Sequence, residues 1–356
     1  MKRIGVVTCG GDCAGLNAAI RAITLKATQD YGWEVYGIRQ GTNGLLKRPV
    51  EAIPLDATVC DGVQLRQGGT FLGSTSKGPP PEMANMDISE HLIEGYHALK
   101  LDALIGIAGD GGQGLLRKLA QQGGLNLVTI PKTIDDDVGC TEHSIGFKTA
   151  VGVATEALDR LYPTAASHDR IMILEVMGRD AGHIALHAGI AGGADIILIP
   201  EIPYKLETLA AKTMQLHQNG RGSVLIIVAE AVPTESGVKL TILDPTGKGR
   251  YGGISHYLAD HLTTLTKAEA RFTVLGHVQR GAQPLFEDRI LASVFGVHAV
   301  DLVAQGKFDR MVAWRNQKVT DVPIQDALEP AHLVDVKGTL MKTARGLGIC
   351  FGDEKF

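Results

Sequence analysis

Short apolar runs recur along the chain, and most end in a glycine-containing turn followed by residues that are apolar at every third or fourth position. Residues 4–8 (IGVVT) open the pattern. A turn at Gly10-Gly11-Asp12 follows, then Leu16, Ala19, Ile20, Ile23 and Ala27 at helical spacing. Residues 103–108 (ALIGIA) repeat it, turning at Gly109-Asp110-Gly111-Gly112 before a helix marked by Leu115, Leu116 and Leu119. Residues 127–130 predict another buried strand. Residues 171–176 lead into Gly178-Arg179-Asp180 and a helix beginning near Gly182, and residues 194–199, 224–229 and 272–275 predict further core strands. Residues 77–81 (KGPPP) read as a surface loop, and Asn219-Gly220-Arg221-Gly222 as a tight turn. Such alternation predicts an α/β protein with largely parallel, doubly wound sheets. Ligands then belong at the carboxyl ends of the strands, where the glycine turns lie.

With 356 residues the chain has the length for two such domains. Hydrophobic residues at 44% and charged residues at 21% suit a soluble globular enzyme. Glycine is abundant, at 44 residues, against 5% aromatics, which fits many tight turns where backbone comes close to a ligand. A net charge of −4 gives no global attraction for nucleic acid or an anionic membrane surface, so an anionic substrate needs a local cluster of cations. The five cysteines are irregularly spaced, matching neither a disulfide framework nor a zinc pattern, and suit a reducing cytosol. No apolar run approaches the roughly 18 residues a membrane span needs, and Asp12 interrupts the N-terminal apolar stretch too early for a signal peptide. A cytoplasmic protein without a membrane or nucleic-acid partner is expected.

Several segments carry candidate chemistry. Gly10-Gly11-Asp12 reads either as a plain βα turn or as a phosphate cradle, because exposed amides and the positive end of a helix dipole attract anions. No Walker A pattern or dinucleotide fingerprint accompanies it. In the second turn, Asp110 is either a helix N-cap or a magnesium contact, since Mg²⁺ takes one or two carboxylates plus phosphate oxygens. Pro131-Lys132-Thr133-Ile134-Asp135-Asp136-Asp137 sets three acids after a buried strand. That is a solvated acidic loop, or a site where a carboxylate takes the proton of an attacking hydroxyl. Arg170, Met177-Gly178-Arg179, Glu230, Arg271 and Gly276-His277-Val278-Gln279-Arg280 add cationic and polar groups. Arginine pairs phosphate oxygens bidentately, although each of these also reads singly as a surface charge, and His277 as a structural histidine. Cys9 and Cys13 flank the first turn; there a thiol pKa can be lowered for redox control, or both are small buried fillers.

Taken in order, IGVVTCGGDCAGLNAAIR (4–21), GGTFLGS (68–74), AGDG (108–111), PKTIDDD (131–137), IGFKTA (145–150), SHDR (167–170), EVMGRDAGHIALHAGIAGGAD (175–195) and TVLGHVQRG (273–281) resemble the phosphofructokinase family over about residues 1–305. The resemblance implies a donor domain of residues 1–146 plus 279–328 and a fructose 6-phosphate domain of residues 147–278 plus 329–356, with the active site in the cleft between them. It implies Mg²⁺-dependent phosphoryl transfer to the 1-hydroxyl of fructose 6-phosphate. Asp135 would be the base, with Lys132 and Thr133 beside it. Asp110 would organise the metal, and Asp137 would support that region. Gly11, Lys77, Gly109, Gly111 and Gly112 would line the donor phosphates, and Arg179 and Lys77 would offset charge on the transferring group. Met177, Gly178, Arg179, Glu230, His277 and Arg280 would hold the sugar phosphate with Thr133, Asp135 and Asp137. Arg170 and Arg271 would join from a neighbouring subunit of a homotetramer, with a dimer as the smaller alternative.

Donor choice is where the chain departs from its relatives. Gly111 stands where pyrophosphate users of the family carry Asp, which leaves room for a nucleotide; Lys132, by contrast, is a residue those users carry. A unit charge at about 4 Å contributes roughly 4 kcal/mol of Coulomb energy at an effective dielectric near 20, enough to influence the donor. ATP is favoured, with ADP or pyrophosphate as alternatives. Ala108 replaces a usual Gly, Gly112 a usual Ser or Thr, and Asp136 a usual Asn. Arg21 and Arg221 match basic positions of the family's effector site, whereas Leu25, Tyr162 and Asn219 replace cationic ones. A non-catalytic sensor on the same scaffold has no need of Asp110, Asp135 and Arg179 together, and a dinucleotide oxidoreductase lacks its fingerprint.

Overall fold

The computed structural model describes residues 1–75, 87–243, 249–328 and 331–354, and the chain divides into two compact units. Strands in chain order are β1 (Arg3–Cys9), β2 (Glu34–Ile38), β3 (Ala52–Leu55), β4 (Ala103–Ala108), β5 (Leu127–Thr133) and β6 (Ile145–Gly146). They continue with β7 (Ile171–Val176), β8 (Ile196–Leu198), β9 (Val224–Ala229), β10 (Thr241–Leu243), β11 (Gly249–Tyr251) and β12 (Ala270–Val274). The last two are β13 (Arg310–Arg315) and β14 (Lys318–Pro323).

The first unit, Met1–Thr149 with Arg280–His332, is built on one sheet of order β14-β13-β5-β4-β1-β2-β3, with β6 pairing β5. Its centre is parallel, and antiparallel partners close both edges, β14 on β13 and β3 on β2. β4 and β5 are buried at every position, as strands covered by helices on both faces must be. The helices Leu16–Tyr31 and Phe286–Ala304 pack closely on each other. Gly296 permits that approach, since a Cβ there would lie 2.7 Å from the Cβ of Ala22. Strands β2, β3, β13 and β14 were not anticipated from the apolar pattern.

The second unit, Ala150–Gln279 with Leu333–Phe356, carries a parallel sheet of order β12-β7-β9-β8 and the separate hairpin β10–β11. β7 and β9 are fully buried. The segment at 272–275 does not form a core strand, contrary to its hydropathy: β12 is an edge strand, with Phe272 43% and Val274 53% exposed. The C-terminal segment adds itself beside β8, where Ile197 N donates to Cys350 O at 3.0 Å and Cys350 N to Asp195 O at 3.0 Å. No helix among the described residues is long and apolar enough to cross a membrane.

Buried carboxylates from distant parts of the sequence cap two helices. Glu175, at the end of β7, accepts Ser255 N at 3.0 Å and Ser255 Oγ at 2.6 Å, closing the start of Ile254–Thr266. Asp288 accepts Gly146 N at 2.9 Å, Thr149 N at 2.8 Å and Thr149 Oγ1 at 2.5 Å, at the start of Phe147–His168. Burial raises the Asp288 pKa above the usual carboxylate value, opposed by these hydrogen bonds. Orphaning several buried donors costs about 1–3 kcal/mol each, so Asp288→Ala is expected to lower unfolding stability by about 3 kcal/mol, read as a drop in the urea midpoint.

Candidate active site

In the first unit the carboxyl ends of β1, β4 and β5 bring the predicted turns together. β1 stops at Cys9, and Gly10 takes a left-handed φ of 88°. The later segment Ser74-Thr75 buttresses this turn: Ser74 Oγ donates to Gly10 O at 2.6 Å and Gly10 N to Thr75 O at 2.9 Å. Lys132, near the end of β5, is buried and donates from Nζ to Gly11 O at 2.5 Å. Burial pushes its pKa down, and the nearby Arg280 adds to that while Asp135 opposes it. Arg280 donates from Nη1 to Asp12 O at 2.8 Å, and a Cβ on Gly11 would lie 2.6 Å from that nitrogen. Two cations therefore flank the first glycine turn, which suits it to anionic phosphate.

The second turn abuts the same place. A Cβ on Gly109 would lie 3.3 Å from Lys132 O, while one on Gly111 would meet nothing within 4 Å. Asp110 is the first residue of the helix Asp110–Gly123 and Gly109 occupies the cap position, so Asp110 is not the N-cap.

The acid run is not a solvated loop. Asp135 is 8% and Asp136 7% exposed. Asp136 adopts a left-handed φ of 55° and accepts Ser144 N and Ser144 Oγ, both at 3.1 Å, so its role is to hold the loop. Thr133 Oγ1 accepts Asp135 N at 3.0 Å, and its carbonyl accepts Ser144 Oγ at 2.9 Å. His332 N donates to Asp137 O at 2.9 Å. Ser144 is a site-building residue that the sequence reading missed; a hydroxyl in a loop gives no signal without its partner. Burial pushes the Cys9 thiol up to about 11 and the Cys13 thiol up to about 12, which removes the redox reading.

In the second unit β7 leads into a tightly held turn. Gly178 has φ 150° and Arg179 a left-handed φ of 56°. Arg179 N donates to Glu230 Oε1 at 3.1 Å, which joins two predicted residues, and Glu230 N reaches back to Val176 O at 2.9 Å. Met177 is half-buried at the start of this turn. Glu201, another residue the sequence reading missed, accepts Gly182 N and Val334 N, both at 3.0 Å. His277 is exposed within the 3-10 turn Gly276–Arg280.

Arg170 and Arg271 lie elsewhere. They stand at the amino ends of β7 and β12, and a six-residue strand covers roughly 20 Å, so β7 separates Arg170 from Met177 by that much. Both pair with Glu269, Arg170 Nε at 2.7 Å, and that hydrogen bond holds the Glu269 pKa below its usual value. Of the basic residues matched to an effector site, Arg221 is engaged by Asp195 at 2.6 Å and 3.1 Å. Lys77 lies outside the described residues.

This geometry can bind a polyphosphate in the first unit and place a buried carboxylate beside it. Comparison with known proteins agrees. The family profile described as Phosphofructokinase matches residues 3–303. The ATP-dependent 6-phosphofructokinase 1 of Synechocystis sp. is 56% identical over 359 residues, covering 99% of each chain. That of Nostoc sp. is 55% identical, again over 99% of each. The chain belongs to the phosphofructokinase family. Among solved structures, the phosphofructokinase of Pichia pastoris in its T-state superposes with a TM-score of 0.80 at 29% identity over 97% of this chain. The chain spans 36% of that larger protein.

Within the family frame, the Ala108 and Gly112 departures have one physical origin. A Cβ on Gly112 would sit 2.9 Å from the Cβ of Ala108 and 3.2 Å from that of Cys9. The methyl of Ala108 occupies the room that a side chain at 112 needs. Overpacking of this kind typically costs about 1–3 kcal/mol. Gly112→Ala alone should destabilise by that amount, whereas Ala108→Gly combined with Gly112→Ala should recover most of it, a double-mutant cycle read by denaturant unfolding.

Proposed function

We propose that this phosphofructokinase-family chain is an ATP-dependent 6-phosphofructokinase, transferring the terminal phosphoryl group of ATP to the 1-hydroxyl of fructose 6-phosphate. The observation that carries this reading is the pair of cations, Lys132 and Arg280, set against the Gly11 turn beside the open space at Gly111. A nucleotide is supported as donor by that open space and by the ATP-dependent relatives at 56% and 55% identity.

Phosphoryl transfer relies on alignment and charge neutralisation more than on covalent chemistry. Asp135 takes the proton of the 1-hydroxyl as its oxygen bonds to phosphorus and the bond to the leaving diphosphate breaks. Thr133 holds Asp135 through its amide, and Lys132 lowers the cost of negative charge at the donor. Arg179 offsets charge on the moving group. Glu230 fixes the backbone of Arg179, and Met177, Gly178, His277 and Asp137 belong to the sugar-phosphate site.

Magnesium fits the donor side. Among the described residues no group of three His, Cys, Asp or Glu side chains forms a metal cage, and Mg²⁺ on a nucleotide needs only one or two carboxylates because phosphates and waters fill the rest. Asp110, beside the open Gly111, would supply that carboxylate, with Gly109 and Gly112 forming the turn. The metal would neutralise charge on the donor phosphates.

Assembly belongs to the same reading. Arg170 and Arg271, roughly 20 Å from Met177 along the strands, would serve the sugar phosphate of a neighbouring copy, and the exposed Phe272 and Val274 on the edge strand support such a contact. A cytosolic setting suits five free cysteines.

With fructose 6-phosphate and magnesium, and ATP, ADP and pyrophosphate offered separately, ATP should give the highest turnover. Asp135→Ser should cut that turnover by about 10²–10⁴ while the KM for fructose 6-phosphate moves only a few-fold; wild-type turnover in the variant would rule out the base. A second substitution addresses the donor. Because Gly111 faces open space, Gly111→Asp should fold normally and yet raise the KM for ATP at least tenfold by charge conflict, and unchanged ATP kinetics would misplace the pocket.

A further inference from the structure

Asp180 follows Arg179 directly and lies outside the machinery assigned above. Its carboxylate accepts Lys239 Nζ at 2.6 Å and Tyr251 Oη at 2.9 Å through the same oxygen, Oδ1. The Lys239 ammonium also sits 5.1 Å from the centre of the Tyr251 ring. Lys239 precedes β10 and Tyr251 ends β11, so the two donors come from the base of one hairpin. After Tyr251 the chain passes through Gly252 and Gly253 into the helix Ile254–Thr266, whose start is capped by Glu175 from β7. The base of the hairpin is thus tied to the end of β7 at two places, Glu175 and Asp180.

We propose that Asp180 is a positioning residue for phosphoryl transfer: by gripping Lys239 and Tyr251 it fixes the turn that presents Arg179. A left-handed backbone is uncommon for a residue with a side chain, so Arg179 keeps it only if its surroundings impose it. Glu230 holds the amide of Arg179 on one side. Asp180 holds the residue on the other. Burial works to raise the Asp180 pKa, but the hydrogen bonds from Lys239 and Tyr251 outweigh it and bring the carboxyl below its usual value. The hydrogen bond from Asp180 in turn raises the pKa of Lys239. Both groups are therefore charged near neutrality. Asp180 and Lys239 side chains are 55% and 41% exposed, and exposed ion pairs contribute little to stability. What such a cluster can supply is orientation, and small misplacements of a reacting group carry large rate penalties.

The proposal rests on the assignment of Arg179 above, so Arg179→Ala is run alongside. Asp180→Ala is expected to lower kcat about tenfold with the KM values for ATP and fructose 6-phosphate within about twofold and the unfolding midpoint unchanged. Asp180→Glu should restore kcat to within about threefold of wild type, since the carboxylate is retained. Lys239→Met and Tyr251→Phe should each give part of the loss, and Asp180→Ala combined with Lys239→Met should be no worse than Asp180→Ala alone. Normal kcat in Asp180→Ala, with Arg179→Ala strongly impaired, overturns the positioning role and leaves the assignment of Arg179 standing. Normal kcat in Arg179→Ala overturns that assignment itself. A loss of kcat that comes with a lowered unfolding midpoint and no recovery in Asp180→Glu also overturns the proposal, since that is what a purely structural contact would give.

Discussion

A buried ammonium group whose hydrogen-bond acceptor is a neutral carbonyl governs the first unit. Lys132 lies next to the end of β5, packed under the first glycine turn, and donates a hydrogen bond to Gly11 O. Removing such a charge from water costs several kcal/mol unless something compensates. A single carbonyl does not, and Arg280 beside it makes the balance worse, which is why its pKa falls. Asp135 offsets part of that cost. The remainder leaves a cation under the turn whose charge an anion would offset. Arg280 crowds the same turn: a side chain at residue 11 would displace its guanidinium.

Carboxylates in this chain divide by what they face. Asp136, Glu175, Asp195, Glu201 and Asp288 spend their oxygens on backbone amides or on a neighbouring hydroxyl or guanidinium, and they fix loops and helix starts. Asp136, Glu175, Asp195 and Asp288 are buried and hydrogen-bonded in this way. Three consecutive acids would repel one another in water-free surroundings. Sending Asp136 back onto Ser144 removes one of them from the cluster, and its left-handed backbone turns that side chain away from the direction of its neighbours. The loop thereby keeps Asp135 in place without stacking three charges on one spot.

Local patterns made much of this legible. The strands β1, β4, β5, β7 and β9 and the glycine turns at their ends were readable because burial on both faces leaves a continuous apolar run, and the sites of Gly11, Asp110, Lys132 and Arg179 follow from the turns. What sequence could not supply was long-range pairing. Asp288 caps a helix whose start is about 140 positions away in sequence, and Glu175 caps one 80 positions away. β12 shows the complementary failure. Its Phe272 and Val274 lie in an apolar stretch, yet it stands at an edge, and hydropathy alone does not distinguish an edge strand from a core strand.

The exchange at residues 108 and 112 shows how volume governs which side chains a glycine turn can carry. Ala108 ends β4 and Gly112 lies in the first turn of the next helix, and between them there is room for only one Cβ against Cys9. Once the strand carries the methyl, a larger side chain on the helix at 112 is crowded against it and against Cys9. Ala108 and Gly112 are therefore better understood as two halves of one packing solution than as independent departures from a family pattern.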